Sequence, residues 1–432
     1  MNRPVETIRE FFREPTPHEA YRLALSEAGL TSTALGRDWT RAARTALTRP
    51  LETSLPFREE GFFPAEEASS VGYRFSLRRG QRLDVLVEVT GSDSLRVFVD
   101  LFRAAPDTIR APVHLRAGSS GSTISHEPRR SGDFLLRIQP ELLRGGRFRV
   151  TLRHGPALAF PVSDRSTGSI GSFFGAPRDG GRREHHGVDV FAPRGTPVLA
   201  AAEGYVARVD TTPVGGRVIW LRDGRRRMSL YYAHLDEQYV RSGMRVRPGD
   251  TLGTVGNTGN ARTTPPHLHF GIYARGEGPI DPWNFLYEPP GTLEEVVVAL
   301  EDLGEWVRVR SDGIRFRRSP SLRGEVADQL PLHTAARVLG GVGEWYRVRL
   351  PDGSGGFLAG RLTESAAEPL QTRSVPRGRP VRAEPATGAP VMEEVPAEAE
   401  IPVFGTFGDF LLVRSPGGRP GWLPLEEEAP GH

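Results

Sequence analysis

The spacing of apolar residues changes several times along the chain, and its first part has the spacing of α-helices. The run Thr-Pro-His-Glu at residues 16–19 has the features of a helix start, with Thr16 as the cap and Pro17 in the first turn. Apolar residues then recur at helical spacing, and a further helix is expected over residues 39–47. These patterns predict a helical N-terminal segment over residues 1–52.

The apolar period changes to two between residues 55 and 156. Apolar and polar residues alternate at Tyr73, Phe75 and Leu77, and the same alternation returns along residues 83–89. Because the side chains of a strand point alternately to its two faces, this period is typical of strands that bury one face. We therefore expect a small accessory β-sandwich over residues 55–156.

Residues 168–289 combine short strands with frequent turns and have almost no helical period. The expected strands are short apolar runs at residues 204–209, 218–221, 230–233 and 268–273. An antiparallel open barrel or a stacked sheet is the architecture that such runs favour. A polar linker is expected over residues 156–168, between this segment and the sandwich.

The last third of the chain contains an internal duplication. Residues 300–366 and residues 372–428 share the order of a strand, a Gly-bearing loop and two further strands, and the second copy is degenerate. Each copy resembles a bacterial SH3-like barrel. Such modules are often wall-binding domains or domains that position a neighbouring domain. The aromatic residues Trp345 and Trp422 are also typical of a packed core, which is the interpretation that we favour.

The composition agrees with a mainly β, multidomain protein. The chain has 432 residues, which is too long for one compact domain, and its hydrophobic content of 38% is sufficient for several cores. The absence of Cys excludes a disulfide framework and a thiolate metal site. Any metal ion must therefore be held by His, Asp or Glu.

All basic residues of the chain are Arg, because it has no Lys, and its formal net charge is only +3. The run Arg225-Arg226-Arg227 could contact an anionic polymer such as nucleic acid or cell wall. This run follows the turn signal Asp223-Gly224, so a solvated hairpin tip is the simpler interpretation.

The chain contains no apolar stretch that reaches the roughly 18 residues needed to span a membrane. Its start, Met-Asn-Arg-Pro, lacks the apolar region of an export signal. Two interpretations remain, a cytosolic protein or a sequence that begins after a removed signal. The chemistry described next favours the second, and we expect the protein in the periplasm or outside the cell.

Short histidine-bearing patches carry the candidate chemistry. They are His-His-Gly-Val-Asp at residues 185–189, Tyr-Ala-His at residues 232–234 and His-Leu-His at residues 267–269. In a strand, the two histidines of the last patch would face one side, while Leu268 packs behind them. Imidazole and carboxylate groups are ligands of a catalytic zinc ion, which keeps one position open for water.

Residues 174–285 resemble the lysostaphin-type, or LytM-type, zinc endopeptidases, which cleave peptide cross-links in peptidoglycan. The motifs that carry this resemblance follow the family's order: Phe174-Gly175, His185-x-Gly187-x-Asp189, Ala192-Pro193-Arg194-Gly195-Thr196-Pro197-Val198, Tyr232-Ala233-His234-Leu235, Gly256-Asn257-Thr258-Gly259-Asn260 and Pro266-His267-Leu268-His269-Phe270. The resemblance implies an antiparallel-β metallopeptidase domain over residues 168–289. The preceding sandwich resembles more loosely the pre-peptidase C-terminal domain of secreted bacterial peptidases.

The resemblance implies that His185, Asp189 and His269 hold a Zn²⁺ ion. His185 stands four residues before Asp189, as in the family, whereas His186 falls at a variable position and is expected to point elsewhere.

His234 and His267 occupy the family's catalytic positions, one as a proton acceptor and donor and one as a donor to the oxyanion. Peptidoglycan peptide stems are the implied substrate, and cell-envelope proteins are the expected class of partner. Neither a nucleic acid nor a membrane span is expected.

Other hydrolytic sites are excluded by missing motifs. The sequence has no HExxH helix motif, no GxSxG elbow and no Cys nucleophile. The run at residues 256–260 lacks the GK[ST] end of a phosphate-binding loop, so it is interpreted as a tight turn that could border the substrate groove.

Two other classes of function remain open. One is a non-hydrolytic activator of other wall hydrolases, as found among relatives that have lost their ligands. The other is an adhesion or scaffold protein built from the sandwich and the SH3-like modules. The complete ligand set favours an enzyme over both. The helical segment or the sandwich could still cover the groove, so we expect removal of residues 1–160 to raise activity.

Overall fold

The computed structural model describes residues 14–90, 95–104, 113–121, 123–415 and 417–425. Within these residues the fold is mainly β and multidomain, as the sequence predicts. The part of the predicted helical segment that precedes residue 14 lies outside the described residues. In the part of the chain that is described, no helix has both the length and the apolar character to cross a membrane.

From residue 14 onward, the N-terminal segment contains the α-helices α1 (Pro17–Glu27) and α2 (Ala34–Thr48). The first begins as predicted, because the Thr16 hydroxyl accepts a hydrogen bond from the N–H of Glu19 and the Glu19 carboxylate accepts one from the N–H of Thr16. The second begins earlier than predicted, because the Thr33 side chain caps its first turn.

A two-sheet β-sandwich follows the helices. Its strands are β1 (Leu51–Glu52), β2 (Phe57–Phe63), β3 (Val71–Leu77), β4 (Gln81–Thr90), β5 (Val97–Arg103), β6 (Val113–Ser119), β7 (Thr123–His126), β8 (Gly132–Pro140) and β9 (Gly146–Pro156). One sheet has the order β1-β3-β8-β5-β6, and the other contains β2-β9-β4-β7. The predicted alternation is confirmed, because Tyr73, Phe75 and Leu77 are buried between the sheets. Residues 51 and 52 form a strand beside β3, so the helical prediction for them is wrong.

The third unit is an open antiparallel sheet with the order β10-β13-β20-β17-β16-β15-β18. Its elements are β10 (Ile170–Ser172), β11 (Pro177–Arg178), β12 (Arg183–Glu184), β13 (Val188–Phe191), β14 (Pro197–Leu199), β15 (Gly204–Thr212), β16 (Gly216–Asp223), β17 (Met228–Gln238), β18 (Arg245–Val246), β19 (Thr251–Val255), β20 (His267–Ala274), β21 (Gly278–Ile280) and α3 (Trp283–Leu286). The four strands predicted from apolar runs correspond to β15, β16, β17 and β20.

One face of this sheet packs on a hydrophobic core, and the other face is open. Leu158 and Val162 are 3% and 2% exposed and belong to that core. The prediction of a polar linker over residues 156–168 is therefore wrong, because these two apolar side chains anchor the segment beneath the sheet.

Two small barrels complete the chain. The first contains β22 (Trp306–Val309), β23 (Ile314–Arg317), β24 (Val326–Leu330), β25 (Ala335–Val342), β26 (Trp345–Arg349), β27 (Gly355–Ala359) and β28 (Thr363–Ser365). The second contains β29 (Gln371–Val375), β30 (Arg379–Arg382), β31 (Val391–Val395), β32 (Ala399–Phe407), β33 (Phe410–Arg414) and β34 (Pro420–Pro424). Trp422 is buried and its ring centroid lies 5.7 Å from that of Trp306, so it packs where the barrels meet. Trp345 is half-buried.

Short 3₁₀ turns connect several of these elements, at Leu30–Ser32, Thr167–Ser169, Asp179–Gly181, Gly259–Ala261, Leu300–Asp302 and Gly360–Leu362.

The sandwich and the first barrel share one continuous sheet. Strand β2 pairs with β25, with Glu60 opposite Gly341. Beside this junction, the fully buried Glu59 carboxylate accepts hydrogen bonds from Arg347 at 2.6 Å and from the Tyr73 hydroxyl at 2.9 Å. A buried carboxylate requires such partners, so this cluster links the two units rigidly.

Candidate metal centre

Strand register brings two of the predicted metal ligands together. His269 of β20 lies directly opposite Asp189 of β13 and, on its other side, opposite Ala233 of β17. Leu268 is fully buried in the core on the other face. The alternation of a strand therefore directs His267 and His269 toward the open face, as the sequence predicts.

His185 completes a group of three side chains with one potential ligand atom each. His185 Nε2 lies 2.9 Å from His269 Nδ1 and 3.0 Å from Asp189 Oδ1, and His269 Nδ1 lies 3.0 Å from the same Asp189 oxygen. Three tetrahedral ligands at about 2.1 Å from one ion are about 3.4 Å apart. The three ligand atoms are slightly closer together than this distance. A small outward movement of the side chains would make room for an ion.

A backbone carbonyl fixes the orientation of the His185 ring, which lies in the loop between β12 and β13. Nδ1 of His185 lies 2.9 Å from the carbonyl oxygen of Phe173, to which it can donate its hydrogen. The other ring nitrogen, Nε2, is then available as a ligand, an arrangement common among metal-binding histidines. His186 is exposed and does not belong to the three-residue group.

The Asp189 carboxylate has a second contact that directs its other oxygen away from the group. Arg178 Nη2 donates to Asp189 Oδ2 at 2.8 Å and to the Ser172 hydroxyl at 2.6 Å. Burial alone would raise the pKa of Asp189, but the neighbouring side chains of His185 and His269 hold that pKa well below its usual value. Asp189 is therefore ionised and presents Oδ1 to the two imidazoles.

Gly187 lies under the His269 ring. A Cβ atom at this position would lie 2.4 Å from the Phe270 carbonyl oxygen and 2.9 Å from two atoms of the His269 ring. No side chain can be accommodated there without moving the strand or the imidazole. This close approach explains why the HxGxD motif of this chain has Gly in its middle.

His234 and His267 form a second pair beside the three-residue group. Their ring centroids are 5.1 Å apart, and that of His234 is 6.0 Å from that of His269. His234 Nδ1 lies 2.9 Å from the Thr258 carbonyl oxygen, and His267 Nδ1 lies 2.8 Å from that of Pro265. Because a carbonyl only accepts, each Nδ1 carries the hydrogen and each Nε2 has a free lone pair.

The backbone at His234 is unusual, because its φ of 63° lies in the left-handed region. The register of β17 changes there, as the strand leaves β20 and pairs with β19. Backbone strain of this kind is typical of functional positions. Burial and the neighbouring imidazoles of His267 and His269 lower the pKa of His234 to about 4, so His234 is neutral at physiological pH.

These five residues lie in a cavity of about 980 Å³ on the open face of the sheet. Every described residue that lines it falls between residues 172 and 273. The predicted turn at residues 256–260 does border the groove, because Asn260 is part of the lining. The described residues of the helices and the sandwich contribute nothing to this lining, so they give no support to the expected cover over the groove. The effect of removing residues 1–160 on activity stays a prediction.

Sequence reasoning missed two side chains at this site. Arg178 reaches Asp189 from the β11–β12 hairpin, and no spacing in the sequence signals that contact. The Tyr231 ring centroid lies 5.8 Å from that of His269. Tyr231 could have been found, because it stands two residues before Ala233, the neighbour of His269 across the strands, and so shares its face.

The predicted solvated hairpin tip at residues 225–227 is only partly confirmed. These residues do form the turn between β16 and β17. Arg226, however, is half-buried and forms ion pairs with Asp223 at 2.6 Å and with Glu127 at 2.7 Å. Because Glu127 follows the last residue of β7, this Arg joins the open sheet to the sandwich.

Family comparisons agree with the position of this site. The model of peptidase family M23 matches residues 183–282, and that of the bacterial SH3 domain matches residues 312–364. The first match includes all five residues described above. Together with the three-residue group, it implies a metal ion at this position.

Individual relatives match only part of the chain. An L-Ala–D-Glu endopeptidase of Bacillus subtilis is 37% identical over 139 residues, which are 30% of this chain and 42% of that protein. The peptidoglycan DD-endopeptidase ShyA of Vibrio cholerae is 27% identical over 213 residues, which are 48% of this chain and 43% of that protein. The chain thus spans less than half the length of these relatives. The catalytic domain of lysostaphin from Staphylococcus simulans is 32% identical, with 26% of this chain and 86% of that chain covered and a TM-score of 0.24.

Proposed function

We propose that this chain, which carries an M23 peptidase domain at residues 183–282 and a bacterial SH3 domain at residues 312–364, is a zinc endopeptidase that hydrolyses peptide cross-links of peptidoglycan. The observation that carries the proposal is the arrangement of two residue groups in one open groove. His185, Asp189 and His269 offer three converging ligand atoms, and His234 and His267 stand beside them.

The donor set suits zinc. Two imidazoles and one carboxylate are nitrogen and oxygen ligands of the kind that zinc accepts in catalytic sites with three protein ligands. Sulfur ligands are absent from the chain, which has no Cys, so the site does not resemble a closed structural zinc centre. When bound, a zinc ion would supply Lewis acidity and lower the pKa of a water molecule to about 7.

His234 is the group that we assign to proton transfer. Its Nδ1 hydrogen is held by the Thr258 carbonyl, so the Nε2 lone pair remains free to accept a proton from the attacking water. The low pKa of about 4 keeps that lone pair unprotonated before the reaction. The proton can then pass to the amine that leaves when the peptide bond breaks.

His267 is the group that we assign to the scissile carbonyl. It faces His234 across the groove and is held by the Pro265 carbonyl at 2.8 Å. A donor that is already oriented stabilises the negative charge that develops on the carbonyl oxygen of the tetrahedral intermediate. In its protonated form, the His267 Nε2–H would donate to that oxygen.

The substrate class comes from the relatives. One is named for cleavage between L-Ala and D-Glu, and another is named as a peptidoglycan DD-endopeptidase. Both names describe endopeptidases and the second names peptidoglycan, which we extend to this chain as a substrate class and not as a particular bond. A bacterial SH3 domain after the catalytic domain agrees with action on cell wall in the periplasm or outside the cell.

The test is incubation of the zinc-loaded chain with purified sacculi, followed by mass spectrometry of the released fragments. We expect fragments with new amino and carboxyl ends within the stem or cross-link, and their masses will identify the cleaved bond. Release should stop after chelation and return when zinc is added. A lack of release from any cross-linked wall, or release that chelation does not affect, would contradict the proposal.

The non-hydrolytic activator and the scaffold have no observation in their favour at this site. An activator derived from this fold should lack one of the ligands, whereas all three are present and close together. A scaffold does not need a metal ion, so stoichiometric zinc in the purified protein would count against it.

A further inference from the structure

The open face of the catalytic sheet carries a basic row at some distance from the metal centre. Tyr205 of β15 lies directly opposite Arg222 of β16 on one side and directly opposite Arg245 of β18 on the other. Directly opposite residues of an antiparallel pair have their side chains on the same face. We call these three residues the Arg–Tyr–Arg row. Tyr205 is 46% exposed, which is unusual for a large aromatic side chain.

Strand register places this row on the same face as the metal centre. On β20, Tyr273 stands four residues after His269 and shares its side by alternation. Tyr273 lies opposite Ser229 of β17, and Ser229 lies opposite Arg222. The residues that alternate with these positions along the strands point to the other face, where they are buried in the core.

The distance between the two sites follows from sheet geometry. Arg222 is two strands away from His269, or about 10 Å, and four residues along the strand, or about 14 Å. The row therefore begins about 17 Å from the metal centre. Trp220 stands two residues before Arg222 on the same face and lines the catalytic cavity, so the floor of that cavity continues toward the row.

A second cavity of about 1130 Å³ includes the row in its lining, together with Arg82 of the sandwich and with residues 156–159. Its lining includes six arginines, namely Arg82, Arg222, Arg225, Arg226, Arg245 and Arg247. Two acidic residues, Glu203 and Asp250, also line it. Positive charge therefore predominates in this cavity.

The arginines of this lining differ in whether a described residue supplies a carboxylate partner. Arg226, Arg225 and Arg82 form ion pairs.

In contrast, Arg222, Arg245 and Arg247 form no ion pair with any residue that the structure describes; Arg222 donates only to the Ser229 hydroxyl at 3.4 Å. A guanidinium without a partner can bind a carboxylate through two parallel hydrogen bonds.

The chemistry of the occupant follows from this geometry. A ligand that fills the catalytic groove and continues along the same face reaches the row after about 17 Å, which is about five extended residues. The part of a peptidoglycan substrate at that distance from the cleaved bond is another portion of its peptide stems. Those stems carry free carboxylates, which match the unpaired guanidiniums.

We propose that the Arg–Tyr–Arg row is a substrate-binding subsite that holds free carboxylates of peptidoglycan stems remote from the cleaved bond. The inference rests on the proposed function. Arg222 and Arg245 bind the acidic groups, and Tyr205 offers an apolar surface between them. The sandwich contributes to this subsite, because its Arg82 forms part of the cavity wall.

The test is co-sedimentation of the full chain with insoluble sacculi at low temperature. We expect the double variant Arg222→Ala/Arg245→Ala to bind roughly tenfold more weakly, which corresponds to two modest charged contacts. The matched control is Arg22→Ala/Arg44→Ala, which removes two exposed arginines from the N-terminal helices and should bind like the parent. Circular dichroism would verify that each variant is folded.

Modified walls provide a second measurement on the unaltered protein. Amidation of the wall carboxylates should weaken its binding by a similar factor and should leave the row variant unaffected. Removal of phosphate-linked polymers with hydrofluoric acid should have no effect. Equal binding by parent and row variant, or loss of binding only after hydrofluoric acid treatment, would overturn the inference.

These outcomes are independent of hydrolysis. If the chain binds sacculi through the row but releases no fragments, then the subsite stands as a wall-binding site and the proposed activity fails. If fragments are released while the row variant binds and cleaves like its parent, then the activity stands and the subsite is refuted.

Discussion

His234 and His267 lie across the groove from each other with ring centroids 5.1 Å apart, and each Nδ1 is within 3 Å of a backbone carbonyl oxygen. The carbonyls of Thr258 and Pro265 thus select the same tautomer in both rings. Because backbone groups hold the two rings, their orientation does not depend on a bound ion. Loss of the metal should therefore leave this pair in place.

Gly187→Ala should weaken metal binding without unfolding the protein. The added methyl group would meet the His269 ring and the Phe270 carbonyl, so the imidazole must move away from the Asp189 carboxylate. We expect a loss of zinc affinity of at least tenfold. Isothermal titration with zinc would measure this loss.

The control for that variant is Gly224→Ala. Gly224 lies in the turn between β16 and β17, where an added Cβ meets nothing within 4 Å. This variant should bind zinc like the parent. Equal zinc affinity of Gly187→Ala and the parent would show that the close contact does not position His269.

Arg178→Ala should also reduce zinc affinity, because Asp189 would lose the donor that holds its Oδ2 atom. Residues that orient a ligand typically change metal affinity by about 10- to 100-fold. Arg178→Lys should restore part of this affinity, since an ammonium group can reach one carboxylate oxygen. Arg182→Ala, which changes an exposed residue of the same groove, is the matched control. Unchanged affinity in Arg178→Ala would refute the positioning role.

Glu59→Ala should destabilise the junction between the sandwich and the first barrel. It would leave the Arg347 guanidinium buried without its carboxylate partner, a change that typically costs about 3 to 5 kcal/mol. Urea denaturation would measure the loss. In comparison, Glu66→Ala removes an exposed partner of Arg337 and should cost less than about 1 kcal/mol. Similar stabilities of both variants would contradict a rigid junction.

His18 should make the docking of the N-terminal helices depend on pH. Its Nε2 lies 2.8 Å from the Gln139 side-chain oxygen, and its ring stacks on Trp39. Burial, followed by the charge of Arg137, lowers the pKa of His18 from 6.5 to about 4. The unfolded chain therefore takes up a proton at a higher pH than the folded protein. The contribution of neutral His18 to the stability of the folded protein is complete above pH 6.5 and is lost as the pH falls toward 4.

Between pH 7 and pH 5 this loss should amount to about 2 kcal/mol. His18→Gln, which does not titrate, should have a correspondingly smaller pH dependence of unfolding. Urea denaturation of both proteins at the two pH values would measure the difference. The same pH dependence in parent and variant would refute the assignment to His18.

Local patterns in the sequence predicted the elements whose structure depends on near neighbours. Thr16 with Pro17 indicated a capped helix, and the alternation at His267 and His269 indicated a strand with one face toward a site. Such features need only a few adjacent residues, so they can be inferred without knowledge of the fold. The segment at residues 156–168 was misjudged because only residues 163–167 are polar, whereas Leu158 and Val162 belong to the apolar residues before them and are required by the core.

Contacts between distant segments could not be inferred in this way. The pairing of Glu60 with Gly341 depends on how separate units dock, and the reach of Arg178 to Asp189 depends on how the β11–β12 hairpin lies beside β13. No periodicity encodes such docking. The family resemblance supplied the grouping of His185, Asp189 and His269, because spacing alone does not indicate that residues 80 positions apart converge.

The most direct test of the central claim compares His269→Ala with His234→Ala, using zinc content and wall hydrolysis measured on the same preparations. His269→Ala should lose both zinc and hydrolysis, because it removes one of three ligands. His234→Ala should retain stoichiometric zinc and lose hydrolysis, because it removes only the proton acceptor. If both variants cleave purified wall as the parent does, or if both retain zinc equally, then the assignment of these residues is wrong.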